Sequence, residues 1–302
     1  MQISYEILNS ASKKIELLKD VSFDVITIGK PQTLEEAINN TKIISKLSPL
    51  MGNLIEFKIC TYLNVNNSYH DYGYWKRQDP GFPDTVFQSS YISPTPGIEI
   101  KAWFPLSTEI TARFKDSQDH FIENQINVAL VCWIPRYIVY GEPVVIDSVV
   151  VSAQSIAQAR DNHYSDPPRY LIVEPGDTSD RTLNLRQSNT NGYIFQGNDS
   201  QFEEASLIFK KWNEVNEINS YSTDTRYQFM VNELMSKFPY RLDTNFAKID
   251  RIKHCEIEKF KSRVLNKEIY GRSLIYWARM LSKGSVDDVK RELSSTLGLY
   301  LI

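Results

Sequence analysis

The chain lacks the features that mark several large classes of protein. No run of eighteen apolar residues occurs in its 302 residues, so no transmembrane helix is predicted. Residues 1–6 lack the basic and apolar stretches of a signal peptide, which favours a cytoplasmic protein. The three cysteines, Cys60, Cys132 and Cys255, are too far apart for a zinc motif or a disulfide framework. We therefore expect them to be reduced thiols.

Other absences narrow the function. The sequence contains no glycine-rich phosphate loop of the Walker type, which argues against an ATP-driven activity. It has no internal repeat and no low-complexity segment. A hydrophobic content of 42% over 302 residues suits one large globular domain or two modest ones.

A strong positive charge is also missing, since the formal net charge is −3, which is unusual for a DNA-binding protein. The charge is unevenly distributed, because Lys and Arg exceed Asp and Glu by six between residues 226 and 292. A local basic face of this kind can bind DNA on a nearly neutral protein. The usual explanation of such an excess is a solvated helix face, and both interpretations stay open.

What the sequence does contain is a pattern of charges on two predicted strands. Asp84 lies between a turn-rich run and the β-prone segment 85–87, and a second β-prone run covers 98–104. Side chains alternate along a strand, so Glu99 and Lys101 share one side of it. If the two segments pair, Asp84 meets both. Two carboxylates and an ammonium can hold a divalent cation with a water beside it.

Pro83-Asp84 followed by Glu99-Ile100-Lys101 resembles the motif of the PD-(D/E)xK nuclease superfamily, and most closely that of its type II restriction endonucleases. Asp84 matches the first acid of the motif, Glu99 the second and Lys101 the lysine. The resemblance covers about twenty residues of the 302. It implies magnesium-dependent, sequence-specific hydrolysis of phosphodiester bonds in double-stranded DNA, and a cognate methyltransferase.

The resemblance also implies an α/β fold, a restriction-endonuclease-like mixed central β-sheet flanked by helices. We expect residues 1–215 to form the catalytic core with N-terminal helices. Residues 216–302 are expected to form a mainly helical C-terminal subdomain packed on that core. Cutting both strands of a palindromic site calls for two active sites related by a twofold axis, so the protein is expected to be a homodimer.

The family assigns a role to each residue of the motif. Asp84, Glu99 and the backbone carbonyl of Ile100 would bind Mg²⁺, which prefers oxygen ligands and keeps several waters. A bound metal acidifies its water and polarises the phosphoryl oxygen. Lys101 would orient the attacking water or offset developing charge. Its unperturbed pKa lies far above neutral, so we interpret it as a positioning group rather than a general base.

Glu56 is a further candidate for the catalytic site. Many relatives carry a Glu on the helix before the first core strand, and Glu56 lies in a segment, 50–63, with apolar residues at helical intervals. A surface Glu on an amphipathic helix is the equally weighted alternative.

The rest of the chain alternates helical and strand patterns. Thr33 followed by Glu36 is a capping box that predicts a helix over 34–63, with a break near Pro49. Residues 64–83 are predicted to be a polar, aromatic loop. Later predicted elements are buried strands over 127–134 and 144–151, a helix over 152–159, a strand over 170–173 and mostly helix from 202 onward.

Two segments flanking the motif are predicted to contact DNA. Residues 105–118 are rich in hydroxyls, and their phosphate-contacting candidates are Ser107, Thr108, Thr111, Arg113 and Lys115. Residues 179–193 concentrate side chains that pair with base edges, and the candidates there are Arg181, Arg186, Gln187 and Asn189. An ordinary polar loop is the alternative for each segment.

Two other functions remain open. A structure-specific repair nuclease or resolvase could use the same fold and the same motif. A non-catalytic DNA-binding protein could keep a nuclease-like core, although the intact set of Asp84, Glu99 and Lys101 argues against a degenerate site. The predicted helical C-terminus and the Arg-, Asn- and Gln-rich segment favour a reader of DNA sequence.

Overall fold

The computed structural model describes residues 2–78, 81–107, 110, 112, 114, 122–164, 192–195, 198–216, 229–230, 233–234, 236–238, 240–243 and 248–298. The chain divides into two compact units. The first contains Met1–Ala112, Phe121–Gln154 and Cys255–Ile302, and the second contains Arg113–His120 and Ser155–His254. Residues 255–302, assigned from the sequence to a C-terminal subdomain, thus belong to the first unit. Among the described residues, no helix is long and apolar enough to cross a membrane.

The first unit is built on a five-stranded mixed sheet whose strands lie side by side in chain order. They are β1 (Tyr74–Arg77), β2 (Thr85–Gln88), β3 (Gly97–Trp103), β4 (Ile126–Pro135) and β5 (Pro143–Ser152). Only β3 and β4 are parallel, and the other neighbours are antiparallel. The mixed α/β class and four of these strands confirm the sequence-based prediction. Strand β1 was not predicted, because it lies in the segment interpreted as a loop.

Two helices cover one face of the sheet. They are α1 (Gln2–Glu16) and α2 (Leu34–Asn64). The hydroxyl of Ser148 on β5 donates to the carbonyl of Ile15 at 2.8 Å. The hydroxyl of Thr85 on β2 lies 3.1 Å from the Cys60 sulfur of α2. These contacts place both helices on the face that carries the most deeply buried side chains of β1 and β2.

Helix α2 begins as predicted and continues where a break was expected. Thr33 accepts the Glu36 N–H at 3.1 Å, while the Glu36 carboxylate accepts the Gln32 N–H at 2.6 Å. The predicted break at Pro49 is wrong, since the helix runs through it for 31 residues. Proline removes one helical hydrogen bond, which leaves the carbonyl of Ser45 without its donor. Pro49 and Ser45 are both exposed, so water can satisfy that carbonyl.

The C-terminal end of α2 is fastened to its neighbours by polar side chains. The Lys14 ammonium of α1 donates to the carbonyls of Tyr62 at 3.2 Å and Leu63 at 3.3 Å. Both carbonyls lie in the last turn of the helix, and that of Tyr62 also accepts the Val65 N–H at 3.1 Å. The Asn64 side chain binds both the N–H and the carbonyl of Trp75, at 2.8 and 2.7 Å. The helix is therefore held against α1 and β1.

The second unit follows β5 along the chain. Its elements are α3 (Ala153–Tyr164), which begins in the first unit, β6 (Gly192–Phe195), α4 (Asp199–Asn216) and β7 (Tyr240–Asp243). Strands β6 and β7 pair antiparallel. Arg160 is fully buried and donates to the Phe114 carbonyl at 3.1 Å. The predicted helix over 152–159 is confirmed by α3, whereas the predicted strand over 170–173 lies outside the described residues.

The chain returns to the first unit with a helical segment. It contains α5 (Cys255–Asn266), the two-residue strands β8 (Glu268–Ile269) and β9 (Arg272–Ser273), then α6 (Leu274–Lys283) and α7 (Val286–Leu297). Helix α5 packs on the sheet face opposite α1 and α2. Its Arg263 donates to Asp147 of β5 at 2.8 Å, and Phe260 lies 5.9 Å from the ring of Trp103. The predicted helical C-terminus is confirmed for these residues.

Candidate functional site

The site forms where β2 ends and β3 continues. Thr85 lies opposite Ile98, so the next residues, Asp84 and Glu99, face each other at the end of the pairing. From this point no strand of the described residues pairs with β3 on the edge opposite β4. The Asp84 carboxylate takes its place, because Oδ2 accepts the Ile100 N–H at 2.6 Å. The predicted hairpin and the convergence of its charged residues are confirmed.

Proline at position 83 leaves a backbone oxygen available at the same edge. If the pairing of β2 with β3 continued by two residues, Pro83 would lie opposite Ile100. In an antiparallel pair, two residues opposite each other at this position normally exchange two backbone hydrogen bonds. Pro83 has no N–H to donate. The N–H and the carbonyl of a strand residue point to the same side, so the Ile100 carbonyl faces the edge that Asp84 occupies.

The Pro83-Asp84 turn is held from two sides. The Gln78 backbone N–H donates to the Asp84 carbonyl at 2.8 Å, and the Gln78 side chain donates to the Pro83 carbonyl at 3.0 Å. On the other side, the Pro83 ring lies against Gly97. A Cβ atom on Gly97 would be 2.4 Å from Pro83 Cγ, so a larger residue fits at this position only if the turn shifts. Gly97 thereby lets the turn approach β3 closely enough for Asp84 to reach Ile100.

Glu99 and Lys101 form an ion pair on the face of β3 opposite α2. Glu99 is only 6% exposed, and its Oε2 accepts the Asp84 N–H at 3.1 Å while its Oε1 accepts the Lys101 ammonium. A carboxylate removed from water needs such partners, because burial of an unpaired charge costs several kcal/mol. The three side chains thus form one cluster, as their spacing in the sequence predicted.

The acidic surroundings keep Lys101 charged. Burial by itself would lower the pKa of Lys101, but the charges of Glu99, Asp84 and Glu56 and the hydrogen bond to Glu99 raise that pKa above its ordinary value. The side chain is therefore an ammonium at neutral pH. It can position a water molecule or stabilise negative charge.

Glu56 lies close enough to contribute to this cluster and also has a basic partner of its own. Its Oε2 is 3.8 Å from Nη2 of Arg77, and the two side chains are 17% and 29% exposed. Arg77 belongs to β1 and was not among the predicted site residues. The aromatic run that ends in Arg77 could have indicated this strand. The run lies between Gly73 and the turn before Asp84, which is the pattern of a hairpin strand.

The donor atoms suit a small, hard cation. Asp84, Glu99 and the Ile100 carbonyl offer oxygen atoms at one edge of β3, and Mg²⁺ prefers oxygen ligands with several waters retained. Asp84 Oδ1 receives no hydrogen bond from any described residue. Within the described part of the chain, no three or more His, Cys, Asp or Glu side chains are grouped as metal ligands. A cation here would be held by two carboxylates and one carbonyl.

Most of the predicted DNA contacts lie outside the described residues. Ser107 ends a short 3₁₀ helix, Pro105–Ser107, that follows β3 after one residue. The other candidates lie beyond the described ranges, namely Thr108, Thr111, Arg113, Lys115, Arg181, Arg186, Gln187 and Asn189. These residues stay predictions.

No protein-family model, curated protein or solved structure matches this chain. The function is therefore inferred from the residues themselves. The informative group is Asp84, Glu99 and Lys101, because two carboxylates and a charged ammonium converge at an open strand edge.

Proposed function

We propose that the protein is a magnesium-dependent nuclease of the PD-(D/E)xK type that cleaves double-stranded DNA at specific sequences, as type II restriction endonucleases do. The observation that carries the proposal is the convergence of Asp84, Glu99 and Lys101 at the end of β2. A restriction-endonuclease-like fold is proposed on the same ground. The mixed sheet, with α1 and α2 on one face and α5 on the other, is compatible with it.

Each residue has a distinct role in this proposal. Asp84, Glu99 and the Ile100 carbonyl hold Mg²⁺, which supplies Lewis acidity and an acidified water. The Lys101 ammonium stabilises the negative charge that develops on the phosphoryl group. Glu56 and its partner Arg77 support the cluster from the α2 side of the sheet.

The proposal extends to partners and location. We propose that a homodimer acts on a palindromic DNA site in the cytoplasm, without ATP and without a membrane. A twofold axis would present one cluster of Asp84, Glu99 and Lys101 to each DNA strand.

The first test is cleavage of DNA by the purified protein. Unmethylated phage DNA is incubated with the protein, with Mg²⁺ or with EDTA, and the products are separated on a gel. Discrete fragments that need Mg²⁺ are expected, and sequencing of their ends would give the recognition site. The Asp84→Asn variant, purified in the same way, controls for contaminating nucleases. Nicks that follow DNA structure rather than sequence would instead indicate a repair nuclease or resolvase.

A DNA-binding protein without catalysis is the second candidate function. The observation that favours it is the ion pair between Lys101 and Glu99, which compensates the buried carboxylate without any cation. Calorimetric titration with Mg²⁺ and Mn²⁺ separates the two candidates. Heat of binding in the wild type that is absent in Asp84→Asn supports the nuclease, whereas intact DNA and no metal binding support the second candidate.

A further inference from the structure

The hairpin of β1 and β2 has one face that is buried under α2. Trp75 and Phe87 lie opposite each other on this face and are 3% and 0% exposed. Their rings meet edge to face, with centroids 5.5 Å apart. Thr85 is also fully buried there. Alternation along the strands then fixes which residues of the hairpin point away from α2.

Of the four paired residues on the other face of the hairpin, three are exposed and Val86 is half-buried. Tyr74 lies opposite Gln88, and Lys76 lies opposite Val86. Tyr74 is 54% exposed, and Lys76 and Gln88 are also exposed. We call Tyr74, Lys76 and Gln88 the outer hairpin face.

The outer hairpin face is continuous with the candidate site. Asp84 immediately precedes Thr85, whose side chain points toward α2, so the Asp84 side chain points outward. Glu99 and Lys101 on the adjacent strand share that direction. Helix α5 lies on this side of the sheet near Trp103 and Asp147. Exposure rises from Asp84, which is half-buried, toward the β1 edge, where Lys76 and Tyr74 are exposed.

The charge of the outer hairpin face suits a phosphate backbone. Lys76 makes no ion pair with any described residue. Tyr74 and Gln88 add a hydroxyl and an amide, both of which donate hydrogen bonds. Side chains of these three types contact phosphate and sugar in protein–DNA complexes. A cation here also offsets the repulsion between DNA and the carboxylates of Asp84 and Glu99.

We propose that the outer hairpin face binds the sugar-phosphate backbone of double-stranded DNA beside the phosphodiester bond at Asp84. Lys76 pairs with a phosphate, and Tyr74 and Gln88 bind the same backbone. The identity of the ligand rests on the proposed nuclease function. The binding surface itself follows from the register and the exposure of the hairpin.

The test is the salt dependence of DNA binding without divalent cations. Fluorescence anisotropy gives the Kd of a labelled duplex of about 30 base pairs from roughly 50 to 300 mM salt. Loss of one phosphate contact in Lys76→Ala should weaken binding about five- to tenfold near 0.1 M salt and reduce the slope of log K against log salt by about 0.9. Lys76→Arg should keep both values. Lys30→Ala, at an exposed lysine in the loop before α2, is the matched control.

The outcomes separate this inference from the proposed function. Unchanged affinity and slope in Lys76→Ala would overturn the inference, even if the wild type cuts DNA. If the wild type binds DNA and Lys76→Ala has the expected effect, but no DNA is ever cut, the binding surface is supported and the proposed nuclease function is contradicted. A wild type that binds no duplex at any salt concentration and does not cut DNA with Mg²⁺ would overturn both.

Discussion

On strands β1 to β3, most side chains that face α2 are buried and apolar, whereas those that face away include exposed residues and the charged residues of the site. Trp75, Phe87 and Ile98 face the helix and are between 0% and 3% exposed. On the other side, Lys76 is exposed and Asp84 is half-buried. Neighbouring residues of the hairpin therefore differ in environment, while on β3 the outward-facing Glu99 is itself only 6% exposed.

The two faces of the hairpin have different roles, because one contributes buried apolar area and the other presents polar side chains next to the candidate site. Burial of the aromatic rings under α2 drives the strands together, since each buried large side chain contributes about 1.5–3 kcal/mol. The polar residues of the hairpin then take their positions, and the Lys101–Glu99 pair on β3 adds a smaller contribution to stability. A slip of one residue would exchange the two faces, so the apolar face also enforces the register of the site.

The largest effect is expected for Asp84→Asn, which alters the outward face alone. Asparagine keeps an oxygen that can accept the Ile100 N–H, so the free energy of unfolding should change by less than about 1 kcal/mol. The rate of DNA cleavage should fall by about 10³-fold or more, because the metal ion loses one negatively charged carboxylate ligand. Single-turnover cleavage and denaturant unfolding measure the two effects. Asp71→Asn, at an exposed carboxylate, should change neither.

The converse change is Phe87→Ala, which alters the buried face alone. Loss of this fully buried ring should reduce the free energy of unfolding by about 3–4 kcal/mol. Cleavage measured well below the unfolding temperature should stay close to the wild-type rate. A large loss of activity in this variant, with the fold intact, would contradict the separation of the two faces.

A smaller effect is expected for Lys101→Gln, which removes the charge beside Glu99. The nearly buried carboxylate loses its counter-ion, so unfolding in EDTA should become easier by about 2–3 kcal/mol. Excess Mg²⁺ should restore part of that loss if a cation binds the same carboxylates. Lys237→Gln removes a lysine from an exposed pair with Glu233 and should cost less than about 1 kcal/mol. Equal costs in the two variants would contradict the burial of the Lys101 pair.

The direction of the pKa shift of Lys101 predicts how the stability contributed by this ion pair depends on pH. Lys101 has a folded-state pKa above the ordinary value of 10.5. Its contribution to stability is therefore fully present below that ordinary value, and it is lost as pH rises through the folded-state pKa. Between pH 6 and pH 9, roughly, the free energy of unfolding in EDTA should show no ionisation attributable to Lys101. A rate that falls in Lys101→Gln but keeps its pH profile would support a positioning role.

The smallest effect is expected for Gly97→Ala, which tests the contact between Pro83 and β3. The added Cβ would lie 2.4 Å from Pro83 Cγ, and relief of this overlap should cost about 1–2 kcal/mol and displace Asp84. Cleavage should fall while DNA binding is kept. The double variant Gly97→Ala/Pro83→Ala should recover stability, which a double-mutant cycle would detect as coupling. Additive costs would exclude the steric explanation.

The sequence by itself determined which residues could form the site. The period of two along β3 placed Glu99 and Lys101 side by side, and the apolar runs over β4 and β5 marked buried strands. These are local properties, because the backbone geometry of a strand dictates them.

Only the tertiary structure decided how those residues meet. The end of β2 at Asp84, its bond to Ile100 and the contact of Pro83 with Gly97 depend on pairing between distant segments. The pairing of Arg77 with Glu56 depends on the docking of α2 against β1. The continuity of α2 through Pro49 depends on the solvent exposure of that turn. Long-range packing and solvent access set these features, and local periodicity carries no information about either.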